Sequence, residues 1–174
     1  MEGLALTLRP MTEDDLPTFE GWLHEPHFAT WFLQDTTIAQ ELADNLSAIR
    51  GDDPAVVLIA EFDGQPIGWC QWYLWSDYPL EAAQYEALPG EVGIDYGIGD
   101  PSVVGRGVGS QLIAALVETA RNAHPNVSIL SGPSAANRAS CAVLQQNGFV
   151  LVDARDIASE PNASPIALYR LVGQ

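Results

Sequence analysis

Apolar and polar positions follow one another in patterns that predict a succession of strands and helices. Period-two alternation and short apolar runs predict strands, whereas apolar residues three and four positions apart predict amphipathic helices. Strands are expected at 4–9, 56–62, 67–75, 92–99, 127–130, 149–152 and 166–171. Helices are expected at 13–24, 37–50, 105–123 and 137–147. The order of these elements predicts one mixed α/β (α+β) domain over residues 1–174, with strands dominating the middle.

Capping and turn residues support several of these boundaries. Thr12 followed by Asp15 is an N-terminal capping pattern, Asp63-Gly64 favours a hairpin turn, and Gly148 suits a helix C-terminus. The segment 76–90 has little apolar periodicity and is expected to be a long loop. Long loops inside a compact domain are often functional, so this segment is a candidate binding region.

Charge and composition narrow the function classes. The chain carries 23 acidic and 7 basic side chains, for a net charge of −16, and it contains no lysine. Nucleic-acid binding needs clustered basic residues, so the charge balance argues against it. A P-loop nucleotidase is excluded, because its phosphate-binding lysine does not exist in this chain. The negative charge suits either simple solubility or a cationic substrate. No membrane span or secretory pattern is found, and Cys70 and Cys141 cannot form a disulfide framework, so a cytoplasmic protein is expected.

A glycine-rich turn between a predicted strand and a predicted helix is the most informative segment. Gly105, Gly107 and Gly109 allow a sharp turn, and the first N–H groups of the helix that follows lack intrahelical partners. Together with the helix dipole, these donors suit a pyrophosphate. A glycine turn without a ligand is the alternative, because the spacing differs from the dinucleotide-binding pattern G-x-G-x-x-G.

Two motifs resemble those of a known family. The run 100–109, D-P-S-V-V-G-R-G-V-G, resembles the acetyl-CoA pyrophosphate loop of the GCN5-related N-acetyltransferases (GNAT). Asn137 followed by Gly148-Phe149 resembles the helix and strand start beside the cofactor's pantetheine in that family. The resemblance implies a central mixed, mostly antiparallel sheet of about seven strands flanked by about four helices, with acetyl-CoA as cosubstrate. The cofactor-binding residues it implies are Ile98, Gly99, Val104, Gly105, Arg106, Gly107, Val108, Gly109, Ser110 and Asn137.

A narrower resemblance concerns the acceptor. Gly93-Ile94-Asp95 and the segment 26–32 are similar to aminoglycoside 6'-N-acetyltransferases and to siderophore lysine N-acyltransferases. This similarity implies that Asp95 is the base for the substrate amine, with Trp31 and the segment 76–90 as substrate walls. A carboxylate beside an amine both binds the cation and accepts its proton. An ordinary strand-end aspartate is the alternative.

Three positions depart from the family pattern. Val104 stands where Gln or Arg is frequent, Leu144 where a tyrosine can protonate the departing thiolate, and Gly132 where an aspartate often precedes the proline. Leu144 therefore leaves the identity of the general acid undetermined, and Gly132 leaves the identity of the acceptor undetermined. Tyr96 and Ser140 are candidates for the acid, with solvent as the alternative, since a thiol leaves readily.

The remaining chemistry is assigned to backbone donors and to an acidic, aromatic surface. A backbone N–H of Ile98 or Gly99 is expected to polarise the carbonyl, unless the glycines simply bend the strand. Rings and carboxylates together suit a sugar that carries ammonium groups, with a solvated acidic loop as the alternative. The candidate substrate residues are Trp31, Trp75, Asp77, Tyr78, Glu81, Tyr85, Glu86 and Glu160, with Glu91 nearby. His24 and His27 lack partners at ligand spacing, so no metal is expected.

The leading hypothesis is an acetyl-CoA-dependent N-acetyltransferase that acts on a cationic small molecule, an aminoglycoside above all. One alternative acceptor is a lysine side chain, a siderophore precursor or a protein N-terminus. Another alternative is an acyl-CoA-binding module that has lost catalysis, which Val104 and Leu144 favour and which Asp95 opposes. No nucleic-acid or membrane partner is expected, and the protein is expected to be a monomer or a homodimer.

Overall fold

A seven-stranded mixed sheet organises the chain, which the computed structural model describes at residues 5–157 and 164–174. In chain order the strands are β1 (Leu6–Pro10), β2 (Val56–Phe62), β3 (Gln65–Leu74), β4 (Val92–Ile98), β5 (Ile129–Ser131), β6 (Val150–Arg155) and β7 (Ile166–Leu171). They lie in the order β1-β2-β3-β4-β5-β7-β6, and β4 with β5 is the parallel pair among antiparallel neighbours. The expected mixed, mostly antiparallel sheet is confirmed.

Six α-helices accompany the sheet among the described residues, where about four were expected. They are α1 (Leu16–Leu23), α2 (Pro26–Phe32), α3 (Ile38–Ile49), α4 (Pro79–Tyr85), α5 (Val108–Ala123) and α6 (Arg138–Gln146). The two additional helices, α2 and α4, are seven residues long and each begins on a proline. Segments this short contain too few apolar repeats to be recognised by periodicity. None of the described helices is both long and apolar enough to cross a membrane.

The segment 76–90 needs a second correction, because it is not simply a loop. A 3-10 turn at Trp75–Asp77 leads directly into α4, which ends where Glu86 adopts a left-handed backbone. The ring of Trp75 is buried and lies 4.8 Å from that of Tyr85. Both rings belong to a buried cluster with Leu130 of β5 and Leu168 of β7, and this cluster holds α4 against the sheet.

The two faces of the sheet bury different helices. Successive side chains of a strand point to opposite faces. Leu58 and Ala60 of β2 therefore join a cluster that includes the buried side of α5, whereas Val57 and Ile59 join a cluster with α1 and α2. The sheet separates these two layers, and the candidate site lies at its interior strands β4 and β5.

Strands β4 and β5 diverge shortly after they pair. Within the described part of the chain the pairing covers Val92–Ile129 and Gly93–Leu130, and β5 then runs into Gly132 and Pro133. Proline has no N–H and cannot extend a ladder. Even-numbered residues of β4 face β5, because Val92 N donates to Ser128 O at 3.0 Å. By the same alternation the backbone N–H groups of residues 96 and 98 face the opening gap.

Candidate active site

The turn between β4 and α5 forms an anion-binding loop. Gly105 and Gly107 have φ angles of 78° and 76°, a left-handed conformation that favours glycine. Gly107 is the N-cap of the 16-residue helix α5, so the N–H groups of Val108, Gly109 and Ser110 lie in its first turn. These groups have no intrahelical acceptor, and the helix dipole adds to their attraction for phosphate. The loop therefore fits a diphosphate.

Side-chain hydrogen bonds fix the two ends of this loop. The Asp100 carboxylate accepts a hydrogen bond from the N–H of Ser102 at 2.9 Å. The Ser110 hydroxyl accepts one from Asn147 Nδ2 at 3.1 Å, which links α5 to α6. Arg106 is exposed, and Val104 presents an apolar side chain that is 49% exposed. Val104 thus offers only its backbone for polar contacts.

A cavity of about 360 Å³, here called the gap cavity, lies where β4 and β5 diverge. Asn137 lines it and caps α6, because its Oδ1 accepts a hydrogen bond from Ser140 N at 3.2 Å. The hydroxyl of Tyr96 lies 2.5 Å from Ser140 Oγ on the same cavity wall. Burial raises the pKa of Tyr96 above its usual range, so this phenol stays protonated at physiological pH.

Asp95 lines the gap cavity and also a second, larger one. Its Oδ2 accepts a hydrogen bond from Gln71 Nε2 at 2.7 Å. Burial raises the pKa of the Asp95 carboxyl, and hydrogen bonds from Gln71 and Tyr73 partly oppose that rise. A carboxylate that is less well solvated than usual is a stronger proton acceptor, as a general base requires.

Glycines on either side of Asp95 leave room for the rings around it. Positions 93, 95 and 97 share one face of β4, and Asp95 carries the only side chain of the three. A Cβ at Gly93 would lie 2.3 Å from the Tyr73 ring, and one at Gly97 would lie 2.6 Å from Phe28. The glycines thus let aromatic rings pack directly against β4 on either side of Asp95.

The second cavity, of about 410 Å³, is here called the acidic cavity. It lies between α3, α4 and the face of β3 and β4 that carries Asp95. Its acidic lining residues are Glu41, Asp44, Asp53, Glu81 and Asp95, and its aromatic lining residues are Trp69, Tyr73, Trp75, Tyr78 and Tyr85. Tyr78 donates a hydrogen bond to Asp53 at 2.6 Å, which fixes the start of α4 over the cavity.

The structure brings together some predicted substrate residues and separates others. Trp75, Tyr78, Glu81 and Tyr85 line the acidic cavity, and Trp31 lines the gap cavity. In the described part of the chain, neither cavity is lined by Asp77, Glu86 or Glu91. Glu160 lies outside the described residues.

Ion pairs hold Glu86 and Glu91 outside the two cavities. Glu86 points away at the end of α4 and pairs with Arg155 at 2.9 Å. Glu91 is buried and pairs with Arg170 at 2.7 Å, while its other oxygen accepts from Leu88 N at 3.0 Å. Asp77 is exposed in the turn before α4. Glu86 and Glu91 are therefore corrected to structural roles in ion pairs, whereas the role of Asp77 stays a prediction.

Backbone pairing also corrects one carbonyl-polarising candidate. The N–H of Gly99 donates to Ile67 O at 2.9 Å and so faces β3 rather than the gap. Ile98 has the opposite orientation, and its carbonyl lies 3.0 Å from His27 Nε2. Of the two candidates, Ile98 is therefore the one whose N–H can reach a ligand in the gap.

Among the residues of the acidic cavity that sequence reasoning missed are Glu41, Asp44, Asp53, Gln71 and Tyr73. Glu41 and Asp44 lie between the apolar positions of a predicted helix and look like an ordinary solvated face. Gln71 lies in a predicted strand, but the predicted hairpin fixes its register only against β2, where it faces Val57. The structure pairs it directly with Asp95.

Comparison with models of protein families identifies the family of this chain. Residues 11–157 match the model of the acetyltransferase (GNAT) domain. The chain belongs to the GNAT acetyltransferases. The anion-binding loop and Asn137 lie within the matched residues, at the two motifs whose resemblance to this family was noted in the sequence.

Individual relatives of this GNAT protein are aminoglycoside enzymes. Aminoglycoside N(6')-acetyltransferase type 1 of Klebsiella pneumoniae is 30% identical over 148 residues, which cover 83% of this chain and 74% of the relative. The crystal structure of aminoglycoside acetyltransferase AAC(6')-Ib with coenzyme A is 28% identical and has a TM-score of 0.83 over 97% of this chain and 95% of that one. A complex of the same enzyme with coenzyme A and kanamycin has a TM-score of 0.79 at 28% identity, over the same shares of the two chains.

Proposed function

We propose that this protein transfers the acetyl group of acetyl-CoA to a primary amine of a cationic small molecule, and that the 6'-amine of an aminoglycoside is its acceptor. The family assigns acetyl transfer. The named activity of the 30% identical relative supports the aminoglycoside and the position of the amine.

The observation that supports a cationic acceptor is that the two cavities are lined by acidic side chains and by no basic ones among the described residues. Six carboxylates line the two cavities: Asp35, Glu41, Asp44, Asp53, Glu81 and Asp95. Among the described residues no arginine or histidine lines either cavity, and the chain contains no lysine. Several arginines instead pair with acids elsewhere, as Arg155 and Arg170 do. The countercharge therefore comes from the ligand, and a polyamine sugar supplies several ammonium groups beside rings on which it can stack.

Acetyl-CoA has a matching set of binding groups along the gap. The first-turn N–H groups of α5 would hold its diphosphate, and Asn137 lines the cavity beyond the loop. When bound, the cosubstrate supplies an acetyl thioester. Cavities of about 360 and 410 Å³ that share Asp95 give two substrates one meeting point.

Asp95 binds the acceptor ammonium and takes up its proton, so that the neutral amine can attack. The hydrogen bond from Gln71 holds the carboxylate in place, and its raised pKa makes it a competent base. Because the carboxylate already lies in a partly dehydrated site, less solvent has to be reorganised during the transfer.

Two sets of hydrogen-bond donors act on the thioester, one at its carbonyl oxygen and one at the departing sulfur. The N–H of Ile98 faces the gap and is oriented to donate to a carbonyl oxygen there. The Ser140 and Tyr96 hydroxyls, 2.5 Å apart, stabilise the departing sulfur by hydrogen bonding. Leu144, at the family's tyrosine position, is fully buried and has no hydroxyl to offer. The hydroxyl pair therefore takes over the role of that tyrosine.

A thiol-release assay with three acceptors tests the proposal. Acetyl-CoA is mixed with kanamycin, with an Nε-hydroxylated lysine and with a basic peptide, and the acetylated position is read by NMR. Release with kanamycin and acetylation at its 6'-amine is expected. Turnover of the peptide or the lysine alone would contradict the aminoglycoside acceptor. Tight acetyl-CoA binding without release to any amine would indicate a module that has lost catalysis.

Three further properties belong to the same proposal. The protein works as a single domain, as a monomer or homodimer, and in the cytoplasm. The two cysteines support a reducing compartment, because Cys70 and Cys141 are both free thiols. Size-exclusion chromatography with light scattering tests the oligomeric state.

A further inference from the structure

A second carboxylate lies beside the proposed base. Six residues line both cavities and so mark the place where they meet: Glu41, Trp69, Gln71, Tyr85, Asp95 and Gly132. Glu41 and Asp95 are the carboxylates of this set. They come from different elements, since Glu41 lies on α3 and Asp95 on β4.

A buried hydrogen-bond chain fixes the backbone at Glu41. Asn45, one helical turn further along α3, accepts a hydrogen bond from Trp69 Nε1 at 2.8 Å and donates one to the backbone carbonyl of Glu41 at 2.9 Å. Asn45 is only 4% exposed, so this anchor excludes water. Trp69 and Gln71 are two positions apart on β3 and share a face, and Gln71 binds Asp95. The same strand therefore supports both carboxylates.

We propose that Glu41 is a second acceptor-binding carboxylate, which loses a proton when the cationic acceptor binds and then pairs with its ammonium groups together with Asp95. This inference rests on the proposed function, because it assigns a role in the same acceptor site. Glu41 binds the acceptor, and Asp95 remains the base.

The charges around Glu41 explain why its protonation depends on the ligand. Burial comes first, and the neighbouring carboxylates Asp44, Asp95 and Asp35 add repulsion, so that the pKa of Glu41 rises to about 7. A hydrogen bond from Thr36 opposes this rise. The other groups that line the junction with Glu41, from β3, α4 and the end of β5, are Trp69, Gln71, Tyr85 and Gly132, none of which carries a charge.

A bound cation reverses this balance. It offsets the repulsion from Asp44, Asp95 and Asp35 and favours the charged form of Glu41. With a pKa of about 7, half of the Glu41 carboxyls are protonated at pH 7 in the free enzyme. Acceptor binding at pH 7 therefore releases up to about half a proton from this residue. Below pH 7 more protons must be displaced, so acceptor affinity falls as the pH decreases.

Calorimetry of kanamycin binding tests the inference, with wild type and Glu41→Gln titrated at pH 7 in two buffers of different ionisation enthalpy. The buffer dependence of the heat gives the number of protons released. Wild type is expected to release about half a proton more than Glu41→Gln, which should also bind kanamycin about tenfold more weakly. Glu118→Gln, an exposed Glu-to-Gln change on α5, is the matched control and should resemble wild type.

Steady-state kinetics give a second measurement, which should not change if Glu41 has only a structural role. Glu41→Gln should raise KM for kanamycin and flatten its dependence on pH between 6 and 8, while kcat and KM for acetyl-CoA stay close to wild type. Equal proton release in wild type and Glu41→Gln, with kanamycin still bound, would overturn the role of Glu41 alone. Absence of kanamycin binding by wild type would overturn the proposed acceptor and this inference with it.

Discussion

Gln71 and Asp95 face each other directly across the β3–β4 pair, and Nε2 of Gln71 donates to Oδ2 of Asp95 at 2.7 Å. A neutral donor holds the carboxylate without neutralising it. An arginine in the place of Gln71 would lower the pKa of Asp95 and weaken it as a base. The amide thus fixes the geometry of the carboxylate and leaves its charge for the substrate ammonium.

Replacement of Asp95 by Asn should abolish most turnover and spare cosubstrate binding. The amide keeps the size of the side chain but cannot accept the proton, so kcat should fall by about two to four orders of magnitude. The dissociation constant of acetyl-CoA should not change, because the diphosphate loop is separate from Asp95. Asp14→Asn, an exposed change outside both cavities, is the control. A near wild-type kcat for Asp95→Asn would remove this residue from the role of base.

Replacement of Gln71 by Met should shift the pH dependence of kcat. Gln71 donates to the charged form of Asp95 and so lowers its pKa against the effect of burial. Without that donor the pKa of Asp95 rises further, and because the base must be ionised, the acidic limb of the profile should move to higher pH. Gln65→Met, at the exposed start of the same strand, is the control. A profile that stays in place would show that Gln71 does not tune the base.

Replacement of Gly107 by Ala should weaken acetyl-CoA binding. Gly107 has a φ of 76°, and an L-residue in this left-handed conformation costs about 1–2 kcal/mol. The strain is relieved by a change of the loop, so affinity for acetyl-CoA should fall by about tenfold. Gly64→Ala introduces the same strain at φ 73° in the β2–β3 turn. Both variants should lose thermal stability, and only Gly107→Ala should lose affinity, as measured by calorimetry. Equal affinities in the two variants would contradict the assignment of the loop.

Much of the fold follows from local patterns. The predicted bounds of β2 and β7 match the observed strands, since both are short apolar runs between clear turn signals. Helices α2 and α4 were missed because each spans two turns, too few for an apolar repeat. The divergence of β4 from β5 could not be predicted either, because it depends on pairing with a distant strand: Ala167 N of β7 donates to Pro133 O at 2.8 Å.

The site was predictable where a motif carries the chemistry and not where tertiary contacts create it. Asp95 and the glycine loop stand in recognisable sequence contexts. Glu41 does not, because its unusual pKa arises from burial and from acids that are distant in the sequence, such as Asp95. Glu86 was wrongly predicted to bind substrate, because Arg155, about seventy residues later in the chain, forms an ion pair with it.

Removal of the Ser140 hydroxyl tests the stabilisation of the departing sulfur. Ser140 Oγ and the Tyr96 hydroxyl lie 2.5 Å apart in the gap cavity, and the raised pKa of Tyr96 keeps the phenol protonated across the working range. Ser140→Ala should therefore lower kcat by about tenfold at every pH, without a shift in the profile. Ser140→Thr keeps a hydroxyl and should restore most of the rate.

The same variants separate a hydrogen-bonding role from a structural one. A synthetic acetyl thioester with a more acidic thiol needs less help to expel its sulfur, so Ser140→Ala should lose much less activity with that donor than with acetyl-CoA. Tyr96→Phe should show the same pattern, because it removes the partner of Ser140 from the pair. An equal loss with both donors, or no rescue by Ser140→Thr, would mean that the pair only supports the packing of α6 on β4 and that solvent protonates the thiolate.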